Sequence, residues 1–316
     1  MTYYLKYRPQ TIEEIDITSV RVSLTNILKS GNIPHAFLFA GPKGTGKTSL
    51  ARILAKTINC ENNNKVTPCG ACEQCISITS GTNIDVIEMD AASNRGIDDV
   101  RALRDIVKLA PANAKAKVYI IDEAHMLTTE ASNALLKTLE EPPAHVYFIL
   151  ATTNPEKLID TIKSRTTFIS FTKATDEEIL RSLKRVIKGE KIKITNDNLN
   201  KIVKISKGSF RDAVKYLEQY SHDKSFLIKD LEIDVEAFVE NLIKKDIKSI
   251  LTDVKKSKNI ESLTDQIVDI LHKKLVNSHA TELIPLIELI LESSEMTKVS
   301  PIEELPLEIA ILKWCV

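Results

Sequence analysis

A chain of 316 residues, 43% of them hydrophobic, is long enough for two or three domains with substantial cores. Its 43 basic and 43 acidic residues cancel, which excludes a global charge that would by itself mark a nucleic-acid-binding protein and leaves such partners only local patches. No run approaches the roughly 18 apolar residues of a membrane span, and Met1-Thr2-Tyr3-Tyr4-Leu5-Lys6 lacks a signal-peptide core, so an intracellular, cytoplasmic protein without membrane contact is expected.

Tyr7-Arg8-Pro9 predicts an extended lead-in, because the residue before proline is pushed out of the helical region. Ser19 offers an N-cap for a helix whose Val20, Leu24, Ile27 and Leu28 share one face and which ends at Gly31. The apolar run Ala36-Phe37-Leu38-Phe39-Ala40 suits a buried strand. The loop Gly41-Pro42-Lys43-Gly44-Thr45-Gly46-Lys47-Thr48 follows, then a helix over Ser49 to Ile58 with Leu50, Ile53 and Leu54 inward. Further strands are expected at Ile84 to Met89, Lys117 to Asp122, Val146 to Ala151 and Thr167 to Phe171. Between them come helices over about 97–108 and Thr129 to Glu140, the second stopped by Pro142-Pro143. Strands alternating with helices mean an α/β domain with a mostly parallel sheet. From Thr175 onward the strand signals stop. Asp176 to Ile187, Asn196 to Ser206 and Ser209 to Tyr220 read as a small helical domain. A polar break at 221–230 then leads into an all-helical region, with Leu263, Ile267, Ile270 and Leu271, and later Leu283, Leu286, Ile287 and Ile290, at helical spacing.

The glycine loop reads G-x-x-x-x-G-K-[ST], and its setting between an apolar strand and a helix start is the one that binds the phosphates of a nucleoside triphosphate. Backbone N–H groups from Gly41 to Ser49 and a positive helix end converge there, with Lys47 for the β/γ-phosphates and the Thr48 hydroxyl for Mg²⁺. Asp122-Glu123 ends an apolar strand, where one carboxylate holds Mg²⁺ and its neighbour polarises the attacking water. Thr152-Thr153-Asn154 closes another strand at the same sheet edge, within reach of a γ-phosphate. Gly208 ends one helix, and Ser209 with Asp212 forms a capping box that sets Arg211 in a first turn, able to reach an anion. Arg165 precedes a strand and acquires a role only if a neighbouring subunit presents a nucleotide to it. Cys60, Cys69, Cys72 and Cys75, spaced x8, x2 and x2 around Pro68 and Gly70, fit a closed structural Zn²⁺ knuckle. An iron–sulfur cluster is the rival, and only Cys315 is left over.

These residues together resemble the gamma/tau family of bacterial DNA polymerase III subunits, the ATPases of the sliding-clamp loader. The shared stretches are Tyr7-Arg8-Pro9-Gln10-Thr11, the phosphate loop, the four-cysteine insertion, Asp90-Ala91-Ala92-Ser93 and Tyr119-Ile120-Ile121-Asp122-Glu123. They continue with Leu136-Lys137-Thr138-Leu139-Glu140-Glu141-Pro142-Pro143, Leu150-Ala151-Thr152-Thr153, Ser164-Arg165 and Gly208-Ser209-Phe210-Arg211-Asp212-Ala213. The resemblance is dense over 3–220 and returns at Leu305-Pro306-Leu307-Glu308. Ile17-Thr18 stand where the family has Gly-Gln, and Thr166 where it has Cys.

The resemblance implies an AAA+ α/β domain over 1–173 with a zinc module at 60–75, a helical lid over 174–223 and a helical collar for oligomerisation over 224–316. It implies ATP, Mg²⁺ and Zn²⁺ as ligands. Arg211 is similar to the family's sensor 2, Arg165 to its trans-acting finger and Thr152 or Thr153 to sensor 1, while Tyr7, Arg8 and Pro9 help house the adenine. The implied function is ATP-driven opening and loading of the sliding clamp on primer-template DNA. The implied partners are the delta and delta-prime subunits, further copies of the chain and the clamp. Asp122-Glu123-Ala124-His125 also spells the box of DEAH helicases, so a helicase or other DNA-remodelling ATPase is the alternative.

Overall fold

The computed structural model describes residues 2–62, 66–93, 107–224, 235–257, 260–297 and 299–315. They fall into two compact units, Met1–Ser221 and His222–Val316.

The first unit is built on five strands in the order β2-β3-β4-β1-β5, every pairing parallel: β1 (Ala36–Ala40), β2 (Val86–Asp90), β3 (Lys117–Asp122), β4 (Val146–Thr152) and β5 (Thr167–Ser170). Alternation along each strand divides the core between the two sheet faces. Phe37, Phe39, Val118, Ile120 and Ile149 point one way, against Leu50, Ile53 and Leu54 of α3 (Lys47–Asn59) and Val20, Leu24 and Leu28 of α2 (Thr18–Ser30). Leu38, Tyr119, Ile121, Phe148 and Leu150 point the other way, with Leu135 and Leu139 of α5 (Thr129–Glu140) packed over them. The register sets Thr152 beside Ala40 and Asp122 beside Asp90, so the carboxyl ends of β1, β3 and β4 finish at one edge. In parallel sheets that edge is where ligands bind.

A short turn of helix, α1 (Tyr3–Lys6), precedes the Tyr7-Arg8-Pro9 stretch, whose Arg8 and Pro9 lie outside any helix. Helix α2 begins at Thr18, one residue before the expected Ser19 cap, and Ile17 at its N-cap makes no side-chain cap. The role passes to a distant carboxylate: the Thr18 N–H donates to Glu178 Oε1 at 3.0 Å. Glu178 lies in α7 (Asp176–Glu190), and it also completes a capping box with Thr175. Helices α7, α8 (Asn196–Ile205) and α9 (Phe210–His222) occupy the three stretches expected to be helical after Thr175. The N-terminal segment is fastened to α7 by Arg185, whose guanidinium donates two hydrogen bonds to the buried Asp16 carboxylate at 2.8 and 2.5 Å. Between β3 and β5 run the short helix α6 (Asp160–Lys163) and a single turn at Ala124–Met126.

The cysteine-bearing stretch leads into α4 (Glu73–Ser80), with Cys72 at its N-cap and Cys75 in its first turn. Strand β2 starts at Val86 and not at Ile84. Ile84 is exposed, and Asp85 has turned inward to accept the N–H groups of Ala112, Asn113 and Ala114 at 2.8, 2.8 and 2.9 Å. The helix expected over about 97–108 lies almost wholly outside the described residues.

The second unit is all helical among the described residues: α10 (Val235–Lys244), α11 (Ile247–Lys256), α12 (Ile260–Ser278), α13 (Ile284–Thr297) and α14 (Leu305–Cys315). Phe238, Leu242, Ile250, Ile267, Leu271, Leu286, Ile290, Leu307 and Ile311 form its own core. No helix among the described residues is long and apolar enough to cross a membrane.

Asp85 gives the fold a testable pH dependence. Burial works against its charge, yet the N–H groups of Asn113, Ala112 and Ala114, with Lys117, hold its pKa below the ordinary 3.8. A carboxyl depressed in the folded state stabilises fully above its unfolded value and loses that contribution as pH falls through the folded one. Asp85→Asn should therefore cost about 1–3 kcal/mol at pH 7, because the amide cannot accept all three bonds without presenting a donor to a donor. The gap to wild type, read by urea denaturation, should narrow below about pH 4. A gap unchanged at pH 3 would contradict this role for the carboxylate.

Candidate functional site

The loop between β1 and α3 is held from both sides by groups that leave no room for a side chain. A Cβ on Gly41, at φ +149°, would lie 2.0 Å from the Phe171 carbonyl oxygen; one on Gly44, at φ +79°, would lie 2.1 Å from Ser209 Oγ. Backbone bonds add to this hold, from Gly41 N–H to the Thr152 carbonyl and from Phe210 N–H to the Gly44 carbonyl, each 3.1 Å. Gly46, also left-handed, is the N-cap of the 13-residue α3 and needs no side-chain cap there. The loop thus presents unhindered N–H groups at a helix N-terminus, the arrangement that receives phosphate oxygens.

The cations around it match that reading. Lys47 is buried, and its Nζ donates to the carbonyls of Gly41 and Pro42 at 2.7 and 2.9 Å. Burial pushes its pKa down, Glu123 and Asp122 pull it back up, and Arg211 adds to the lowering. Arg211, in the first turn of α9, lines the same cleft as Lys43, Thr45 and Lys47. Arg8 lines it from the N-terminal segment, its Nε donating to Ser49 Oγ at 3.0 Å; its pKa is lowered by burial first and then by Arg52. Tyr4, Tyr7, Pro9, Ile15, Phe210 and Val214 give the cleft an apolar end. Tyr7 is fixed there by its hydroxyl, which donates to Glu190 Oε1 at 2.8 Å. Ile17, which stands at one of the departures from the family pattern, is 1% exposed and belongs to the core beneath this segment.

The carboxylates close the third side. Thr48 Oγ1 donates to Asp122 Oδ2 at 2.7 Å, so a hydroxyl and a carboxylate oxygen lie together as a hard divalent cation requires. Glu123 follows in the left-handed conformation at φ +49°, its N–H bonded to Asp122 Oδ1 at 2.9 Å. Such a conformation costs about 1–3 kcal/mol in a non-glycine residue and is found at functional sites. It turns the Glu123 carboxylate toward β4, where Thr153 Oγ1 donates to Oε2 at 3.2 Å. Of the two threonines singled out in the sequence, Thr153 therefore meets Glu123. Thr152 is fully buried, and its hydroxyl takes the Asn154 N–H and meets His125 Nδ1, each at 3.0 Å. His125 Nδ1 also lies 3.5 Å from Glu123 Oε2.

Arg165 is not among the residues that line this cleft. It follows α6 and pairs with Glu140 Oε1 at 2.5 Å, its side chain half-buried. The sequence reading missed four partners: Ser49 for Arg8, His125 for Glu123, Arg185 for Asp16 and Gln10 for Lys56. Three of these contacts join segments remote in sequence, whereas His125 follows closely on Glu123 in the same motif.

The sulfur atoms of Cys60, Cys69, Cys72 and Cys75 lie within 4.8 Å of one another. That compactness fits four thiolates on one tetrahedral Zn²⁺, with Zn–S bonds of about 2.3 Å. N–H groups already serve the sulfurs, Cys69 N–H to Cys60 Sγ at 3.2 Å and Cys72 N–H to Cys69 Sγ at 3.3 Å. The N–H groups of Ala71 and Cys72 bring the Cys69 thiol down to about 6, favouring the thiolate.

A parallel sheet carrying a glycine-rich phosphate loop after its β1 strand defines the class, phosphate-loop α/β proteins. The fold is similar to that of the Thermotoga maritima RuvB Holliday junction branch migration motor, with a TM-score of 0.51 and 19% identity over 79% of this chain and 85% of that one. A family profile described as "DNA polymerase III, delta subunit" matches residues 18–175. DNA polymerase III subunit tau of Bacillus subtilis is 46% identical over 217 residues, 68% of this chain and 38% of that protein. Subunit gamma/tau of Mycoplasma genitalium is 41% identical over 263 residues, 82% of this chain and 44% of that protein. The chain belongs to the DNA polymerase III gamma/tau family. It spans less than half the length of these curated relatives.

Metal analysis of the purified chain should give about one zinc per chain and no visible absorption. Structural zinc contributes about 10 kcal/mol or more in small modules, so Cys72→Ser should lose the metal and the order around Cys60 to Cys75. The sheet, with its own core on both faces, should keep its circular dichroism. A brown protein holding iron and sulfide would overturn the zinc assignment.

Proposed function

We propose that this chain binds and hydrolyses Mg²⁺-ATP as a subunit of the DNA polymerase III clamp loader, using ATP to drive opening and loading of the sliding clamp on primed DNA. The observation that carries the reading is the convergence on one phosphate loop of the Thr48–Asp122 pair, the Glu123–Thr153 pair and Arg211. In it the α3 N-terminus and the loop N–H groups hold the phosphates, and Lys47 swings from its two carbonyls to the β/γ-phosphates. Thr48 and Asp122 hold Mg²⁺, which neutralises phosphate charge when bound. Glu123 accepts the proton of the attacking water, with Thr153 and, through His125, Thr152 fixing its carboxylate. Arg211 reads the phosphates from the helical side, and Tyr7, Arg8 and Pro9 with their apolar neighbours seat the base.

The proposed organisation is an AAA+ domain over 1–173 with its zinc module, a lid over 174–223 and a collar over 224–316. Exposed Leu291, Met296, Ile309 and Leu312 on the last two helices support the collar as an assembly surface. The partners in this reading are the delta and delta-prime subunits, further copies of the chain, the clamp and primer-template DNA. ATP can drive such a machine only by binding its assembly states unequally.

Lys47→Ala should abolish measurable Mg²⁺-ATP binding in calorimetry with the fold intact, since a buried phosphate partner is lost. Glu123→Gln should bind ATP normally and turn over at least about a hundredfold more slowly, because the amide cannot take the proton. Wild-type affinity in the first or wild-type turnover in the second would contradict the assigned roles.

Arg165 is assigned to the nucleotide of a neighbouring subunit, where such fingers are worth about 10³–10⁵ in rate. Its half-buried side chain, held by Glu140 and nearby polar atoms away from the cleft, suits that exchange. Assembled Arg165→Ala subunits should bind ATP and hydrolyse it slowly. Mixing them with Lys47→Ala subunits should restore part of the activity, because an intact loop then meets an intact arginine. Full clamp- and DNA-stimulated turnover in Arg165→Ala, or no rescue in well-formed mixed complexes, would exclude the trans role.

A further inference from the structure

Lys56 is 2% exposed and so is a buried ammonium, yet its hydrogen bonds go to neutral acceptors, Gln10 Oε1 at 2.7 Å and Thr79 Oγ1 at 3.4 Å. A buried charge requires compensation. Glu14 and the Cys75 sulfur lie near enough to act on it. Cys75 is one of the four clustered sulfurs, and four thiolates around one Zn²⁺ carry a net charge of about −2. A second ammonium faces the same cluster, Lys115 Nζ donating to the Cys60 carbonyl. Thr79, one helical turn beyond Cys75, ties the two together: its hydroxyl donates to the Cys75 carbonyl at 2.8 Å and meets Gln10 Oε1 at 3.3 Å.

Gln10 carries the contact onward. Its Nε2 donates to the Arg8 carbonyl at 2.9 Å, and Arg8 Nε reaches Ser49, the residue after the phosphate loop. A parallel tether runs beside it from the knuckle to the same segment, Thr67 Oγ1 to Glu13 Oε1 at 2.6 Å. The N-terminal segment that lines the cleft is therefore gripped on one side by groups ordered around the cysteines.

We propose that the metal-loaded cysteine cluster, acting through Lys56 and Gln10 as positioning residues, holds Tyr7-Arg8-Pro9 against the nucleotide cleft, so that zinc occupancy and nucleotide affinity are coupled. This rests on the nucleotide reading of the cleft. With the metal gone, nothing draws the four sulfurs together, α4 loses its N-terminal anchor, and Thr79 on α4 no longer holds its place beside Lys56 and Gln10. Gln10 then loses two donors, and Arg8 its fixed carbonyl. Because coupling is reciprocal, bound nucleotide must strengthen zinc binding by the same factor.

The test is Mg²⁺-ADP binding by calorimetry to zinc-loaded and zinc-stripped chain, with zinc affinity measured in parallel by competition with a chromophoric chelator with and without Mg²⁺-ADP. Loaded wild type should bind Mg²⁺-ADP about tenfold more tightly than stripped protein whose circular dichroism is retained, and Mg²⁺-ADP should raise zinc affinity equally. Gln10→Ala, at a half-buried position, should still bind one zinc, while the difference between loaded and stripped forms falls to about twofold or less. Lys56→Met, which keeps the buried stem, should do the same. Equal Mg²⁺-ADP affinity with and without zinc in wild type, or undiminished coupling in Gln10→Ala, overturns the link and leaves the nucleotide site standing. No Mg²⁺-ADP binding to loaded wild type overturns the nucleotide reading, and the coupling with it.

Discussion

The two glycines of the phosphate loop that cannot accept a side chain, Gly41 and Gly44, are the constraint on which the first unit turns. Gly41 is pressed against the Phe171 carbonyl just beyond β5, and Gly44 against Ser209 at the start of α9. The loop is thereby clamped between the sheet and the small helical part, and both left-handed conformations come at little cost because the residues are glycines. With the loop fixed, everything that meets it is fixed too. Thr48 reaches Asp122 at the end of β3, the Gly41 N–H reaches Thr152 at the end of β4, and Arg211 is carried in on the turn bonded to Gly44.

That clamp also explains how charge is arranged. Lys47 and Arg8 are cations partly withdrawn from water on one side of the loop, and Asp122 and Glu123 face them from the other. Under the proposed function, a polyphosphate and a divalent cation entering together would meet opposite charge already in place. The strain stored at Glu123 has a visible use, since the left-handed backbone is what turns its carboxylate to Thr153. On the side of Tyr7, Arg8 and Pro9, the Asp16–Arg185 bridge and the Tyr7–Glu190 bond hold the N-terminal segment on α7, so the cleft has a wall that is not part of the sheet.

The elements nearest the sheet were legible because their signals are local. Apolar runs gave the strands, the G-x-x-x-x-G-K-T spelling gave the loop, and the cysteine spacing gave the cluster. Boundaries went astray where a distant group took over a local role. Helix α2 starts without the Ser19 cap because Glu178, 160 residues away, serves Thr18. Strand β2 lost Ile84 and Asp85 because Asp85 is a buried acceptor for the turn at 112–114. Within the site, the motif residues were readable, but which threonine meets Glu123 was not, since that depends on the strand register and on the fate of one hydroxyl. Contacts such as Lys56 with Gln10 leave no sequence signature, because a lysine on an amphipathic helix ordinarily points to water.

The central claim is that the loop and the turn at 209–211 close on one ligand. Hydrogen exchange of the chain with and without Mg²⁺ and a non-hydrolysable ATP analogue tests it most directly. The account predicts that the analogue slows exchange of the amides from Gly44 to Ser49 and of Phe210 and Arg211 together, with the same ligand concentration dependence. Protection confined to either segment alone, or absent from both at saturating analogue, would contradict it.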